Sequence, residues 1–168
     1  MKKTFIYRAA SLCGIFLISL LGEFSGFSIG QEPVVFSTWE AFEADKCATI
    51  WLIKRFVDKN AEIKFFPKGE PVRQGIPFDT PDADLRRYHN RTTFESFLNH
   101  YELKDEKLEF IGQIIYDIEI NIWDKKRLEQ TTVVNQDINN ILNQYDTNEE
   151  IINKCCDYFD KLYRKTEK

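Results

Sequence analysis

The sequence predicts an α+β domain, mostly helical, with about five helices and two short strands in a single unit over residues 31–168. Three observations carry this expectation. Short β-branched runs cluster near the start of that region, and the rest places apolar residues at helical spacing. Thr-x-x-Glu capping boxes mark two helix starts. A chain of 168 residues with 14 Phe, seven Tyr and three Trp suits one domain with a substantial core.

Val34–Thr38 alternates and reads as a strand. Phe42–Val57 follows as a helix whose apolar residues face nearly every direction, the pattern of a helix buried on all sides. Ala61–Phe66 reads as the second strand. Pro67–Asp84 holds four of the five prolines together with Gly69 and Gly75, so it is a loop. Its end, Gly75–Pro81, sets Ile76 and Phe78 among prolines and should pack down. Thr92-Thr93-Phe94-Glu95 starts a helix that runs to about Tyr101. Asp105 caps a long helix reaching about Asp124. Two more helices are expected, at Val134–Tyr145 and from Thr147 to Tyr163, the latter opened by Thr147-Asn148-Glu149-Glu150.

Residues 1–30 differ from the rest. Lys2, Lys3 and Arg8 precede an uncharged, mostly apolar run at Ala9–Leu21, and small residues follow at Ser25–Gly30. That order is a secretory signal, with cleavage expected before Gln31 and the product periplasmic or secreted. The apolar run falls short of the roughly 20 residues needed to span a bilayer, so no stable membrane anchor is expected after cleavage. Loss of residues 1–30 turns 23 basic and 27 acidic side chains into 20 and 26, net −6. An acidic chain is a poor phosphate-backbone binder, which excludes nucleic acid as a general partner. Cys47, Cys155 and Cys156 form no C-x-x-C pair, which removes redox-motif and zinc-ribbon readings. They are either small apolar helix residues, or Cys47 bridges to one of the other two.

Candidate chemistry gathers in two segments. On the helix over 108–124, Glu119 falls between an isoleucine stripe and a second stripe of Tyr116, Ile120 and Trp123. A carboxylate bordered by apolar residues needs a cation or metal partner, or holds a raised pKa. The other segment, Arg86-Arg87-Tyr88-His89-Asn90-Arg91, puts three guanidinium groups and an imidazole within six residues, a set suited to cradling an oxyanion. Lys54 and Arg55 are a further basic pair. A mixed N/O metal site would draw on His89, Glu95, Asp117 and Glu119, a donor set suited to divalent iron, manganese or zinc. His100, near a helix end, reads as structural. No P-loop, G-x-S-x-G or G-x-G-x-x-G is present.

The helix Asp45-Lys46-Cys47-Ala48-Thr49-Ile50-Trp51-Leu52-Ile53-Lys54-Arg55-Phe56-Val57-Asp58 resembles that of the ChrB-type chromate-resistance proteins, in their C-terminal domain. Gly75–Pro81, Tyr88-His89 with Thr93-Phe94-Glu95, and Asp117-Ile118-Glu119 follow in the order found there, so the resemblance spans about Phe36 to Tyr163. It implies a role linked to chromate resistance, here in an exported stand-alone form without DNA-binding regulation. His89, Glu95 and Asp117 match the family's candidate ligands. Arg86 replaces a Glu, Thr92 a Cys and Tyr116 a His, which tilts the pocket away from metal and toward anions. The expected function is therefore binding of an oxyanion or metal ion between the 86–95 segment and the 108–124 helix. The alternatives are a metal-dependent enzyme using His89, Glu95, Asp117 and Glu119, and an interaction domain without a small ligand.

Overall fold

The computed structural model describes residues Glu32–Thr166. The expected signal segment, residues 1–30, lies outside the described residues. The order of elements is β1 (Val35–Trp39), α1 (Ala44–Leu52), a π-helical turn (Ile53–Val57), β2 (Glu62–Phe66), β3 (Ile76–Pro77), α2 (Thr93–His100), α3 (Glu106–Glu119), α4 (Gln130–Gln144) and α5 (Asn148–Lys165). Five α-helices and a small sheet make the domain α+β and mostly helical.

β1 is the middle strand of a parallel sheet ordered β2-β1-β3. Its partners are in register as Val35 with Glu62 and Phe36 with Ile76. The third strand, not expected from the sequence, comes from the proline-rich loop. Pro77 lacks an N–H, so only a short edge strand is available to it. The end of this loop packs down only in part: Phe78 and Thr80 are buried, while Ile76 and Pro77 lie exposed on the edge strand. Gly75 adopts φ +77°, and a Cβ there would lie 2.5 Å from the Val35 carbonyl oxygen. Glycine is thus what lets β3 approach β1.

Every residue of α1 is buried, as its all-round apolar pattern requires. It packs against α5, α2 and α3. Trp51 is the hub, in ring contact with Phe94, Phe159 and Tyr163, and its indole N–H donates to Asp160 of α5 at 2.8 Å. The helix does not continue regularly to Val57. Asp58 N–H donates to the carbonyl five residues back, at Ile53, widening the last turn. The turn aims Arg55 at Asp160, which accepts from Nε and Nη2 at 3.1 and 3.0 Å. Lys54 Nζ donates to the Ala61 carbonyl.

α3 stops at Glu119 rather than near Asp124. Asp117, 1% exposed, accepts from Asn121 Nδ2 (2.6 Å), Arg127 N–H (2.7 Å) and Thr131 Oγ1 (2.8 Å). The chain is thereby folded back, and Lys126 Nζ donates to the carbonyls of Asp117 and Asn121. Ile122 and Trp123, placed by the sequence on a helical stripe, are instead 59% and 92% exposed. The same carboxylate organises the start of α4, which begins at Gln130, four residues before the expected Val134.

Gly75→Ala is expected to lower unfolding free energy by roughly 1–3 kcal/mol from backbone strain alone, with the clash against Val35 adding to it. Chemical denaturation measures this; a change below about 0.5 kcal/mol would contradict the close approach of β3.

Candidate functional site

The first turn of α2 exposes backbone N–H groups that nothing within the helix can accept. Thr92 and Glu95 satisfy two in the expected capping box: Glu95 N–H donates to Thr92 Oγ1 and Thr92 N–H to Glu95 Oε2. The N–H groups of Thr93 and Phe94 donate to Asp45 of α1, at 2.8 and 2.9 Å. Asp45 is fully buried, so a carboxylate on a mostly apolar helix is spent on capping another helix.

A cation approaches from the remaining side. Arg87 Nη2 lies 3.2 Å from Glu119 Oε2 and also pairs with Glu43, while its Nε is 3.5 Å from Asp45 Oδ2. Three carboxylates from the α1 region and α3 thus share one guanidinium. Nearby, Lys46 Nζ lies 3.4 Å from Asp79 and donates to the carbonyls of Trp39 and Ala41. Asp79 also accepts from Thr93 Oγ1 at 2.8 Å.

These groups form one wall of a pocket of about 340 Å³ between the end of β1, the start of α1 and the loop before α2. Four cations line it: Lys46, Lys68, Arg86 and Arg87. Glu40, Glu43 and Asp79 line it too. Arg86 lies 5.1 Å over the Tyr88 ring and, among the described residues, has no ion pair. Ala41 and Asp79, both at the pocket, have positive φ of 89° and 51°. Such conformations in residues carrying a Cβ are uncommon and collect at sites where the surroundings over-determine the backbone.

Burial pushes the Asp45 pKa up from the usual 3.8 to about 6, helped by the nearby Asp79 charge and opposed by the two N–H donors and Arg87. Desolvation and the Asp79 charge together therefore outweigh the two charge-assisted hydrogen bonds and Arg87. Burial raises Glu119 and Glu43 as well, with Arg87 pulling both back down.

The candidates named from sequence are dispersed. Arg86 and Arg87 reach the pocket together, and Glu119 stands behind Arg87, as its position between apolar stripes required. His89 is exposed on the turn closed by Tyr88 and Arg91 and does not line the pocket. Lys54 and Arg55 are occupied where α1 meets β2 and α5. Glu95 holds the capping box and faces a different hollow, beside Tyr116 and Arg127. Asp117 is filled by its hydrogen bonds to the α3–α4 connection; burial would raise its pKa, but those bonds win and hold it low. His89, Glu95, Asp117 and Glu119 do not form one donor set: among the described residues no group of three or more His, Cys, Asp or Glu is arranged to hold a metal ion. Glu43, Asp45, Lys46, Lys68 and Asp79 were missed. For Asp45 and Lys46 a signal existed, since two charges on a helix with apolar residues all round need buried partners.

A family model described as ChrB, C-terminal domain, matches residues 36–166. No curated protein and no solved structure matches the chain. No helix among the described residues is long and apolar enough to cross a membrane.

The raised Asp45 pKa fixes the sign of a pH effect. The native state binds the extra proton between about pH 4 and 6, so this group's contribution to stability falls as pH rises through that window. Asp45→Asn removes the titration. Wild-type stability minus variant stability is expected to decrease from pH 4 to 6 in paired denaturant titrations, and a constant difference would contradict the assignment.

Proposed function

The chain belongs to the ChrB C-terminal domain family, and from that premise we propose that it is an exported protein of the chromate-resistance type that binds a small inorganic oxyanion in the Arg86–Arg87 pocket. The observation that carries the reading is the gathering of Lys46, Lys68, Arg86 and Arg87 around one cavity, with Arg86 free of any carboxylate among the described residues. A guanidinium fork presents several N–H donors to tetrahedral or planar oxygens. Arg87 and Lys46 are held from behind by carboxylates and, for Lys46, by the carbonyls of Trp39 and Ala41, so they are fixed in place before a ligand arrives. Arg86 and Lys68 supply charge that is not already neutralised.

Electrostatic balance gives the site a direction with pH. Glu43 and Glu119 have pKa values raised by burial, and protonating either one releases part of Arg87's charge toward the pocket. Anion affinity should therefore strengthen as pH falls. The export expected from residues 1–30 would place this pocket where it meets external anions before they enter the cell.

Calorimetric titration with chromate, sulfate and phosphate tests the proposal. At least one of them should bind, and Arg86→Ala should weaken that binding by roughly tenfold or more, the loss of one charge-assisted contact. Arg55→Ala, remote from the pocket, should leave affinity unchanged. For sulfate, which keeps its charge across the range, binding should tighten from pH 7 to 5. Silence toward all three anions would end the reading, as would equal effects of the two Arg substitutions.

A further inference from the structure

Cys47 and Cys155 lie 108 positions apart in the chain, yet their Sγ atoms are 2.9 Å apart in the contact between α1 and α5. Unbonded sulfur atoms do not ordinarily approach so closely, while a disulfide requires about 2.0 Å. Both residues are 1% exposed. Cys156, the neighbouring residue, leaves the helix about 100° round from Cys155. It is also buried, and no sulfur partner is in contact with it among the described residues. Just beyond the pair, α1 and the turn that follows it are already joined to α5, by Trp51 and Arg55 with Asp160 and by Trp51 packing on Phe159. The backbone is therefore held in a position that needs only a small shift of two side chains to bring the sulfurs to bonding distance.

We propose that Cys47 and Cys155 are a modification site that closes to an intramolecular disulfide pinning α5 to α1, with Cys156 left as a thiol. The oxidant is a disulfide of low molecular weight or of an oxidoreductase. One protein thiolate attacks it, releasing one thiol. The second cysteine attacks the mixed disulfide, releasing the other thiol as the Cys47–Cys155 bond forms. Two protein S–H protons are lost, and the two electrons end on the released thiols.

Burial sets when this happens. In the folded chain the Cys47 thiol is pushed well above its ordinary pKa by its contact with Cys155 and by burial, so the attacking thiolate is scarce. The bridge forms late in folding, when α1 and α5 have met but their contact is not yet closed to solvent, and the folded reduced protein resists the same oxidant. Because the loop closed is long, the bond removes many conformations from the unfolded chain.

The test refolds the full chain in a glutathione redox buffer, blocks remaining thiols with iodoacetamide under denaturing conditions, and maps tryptic peptides by mass. The peptide of residues 47–54 should be joined to that of residues 155–161. Cys156→Ser should keep the joined peptide and Cys155→Ser should lose it. The oxidised protein should melt roughly 5–15 °C above the reduced one. Complete alkylation of Cys47 after oxidative refolding would overturn the proposal, as would survival of the link in Cys155→Ser or an unchanged melting temperature.

Discussion

The domain is organised around the burial of one carboxylate. Asp45 sits at full burial on α1, where an unpartnered charge would cost several kcal/mol. It persists because the first turn of α2 presents two backbone N–H groups to it and the positive end of the helix dipole favours negative charge there. The arrangement fixes the crossing of α1 and α2 more tightly than apolar packing alone, since removing either partner strands the other. Its raised pKa shows how close the balance is: desolvation has the larger share, and only the combined donors keep the site workable.

That constraint propagates outward to the pocket. The position of Asp45 determines where a guanidinium can sit, and Arg87 fills that place while reaching Glu119 on α3 and Glu43 ahead of α1. Lys46, the next residue along, is turned toward Asp79 and the carbonyls that end β1. The loop before α2 is thereby tied to both the sheet and α1. The strained backbones of Ala41 and Asp79 occur at these ties, where several contacts over-determine the chain. The outcome is a cavity lined by two cations tied to carboxylates, Lys46 and Arg87, and by two without an ion pair among the described residues, Arg86 and Lys68. Pre-positioned charge of this kind lowers the cost of ordering side chains when an anion binds.

Much of the fold was legible because local rules and tertiary packing agree. The capping box at Thr92 and Glu95, the all-buried α1 and the burial of Phe78 in the proline loop were each readable from residue type and spacing. The errors share one origin. A 3.6-residue period extends a helix through Ile122 and Trp123, but it carries no information about Asp117 drawing the following chain back onto itself. The strand at Ile76–Pro77 depends on pairing with a segment forty residues earlier, which no local pattern encodes. Arg86, Arg87 and Glu119 were found because clustered charge and a polar residue between apolar stripes are local signals. Glu43, Lys68 and Asp79 join them from three separate segments, and only the folded chain brings them together.

The central claim is that this pocket is a seat for a tetrahedral oxyanion beside Arg86. Crystals of the domain soaked in selenate at moderate concentration, with data collected at the selenium absorption edge, address it most directly. The account requires an anomalous peak within hydrogen-bond reach of the Arg86 guanidinium, in the cavity bounded by Lys46, Lys68 and Arg87. A clean map with selenate peaks only elsewhere on the surface, and none beside Arg86, would contradict it.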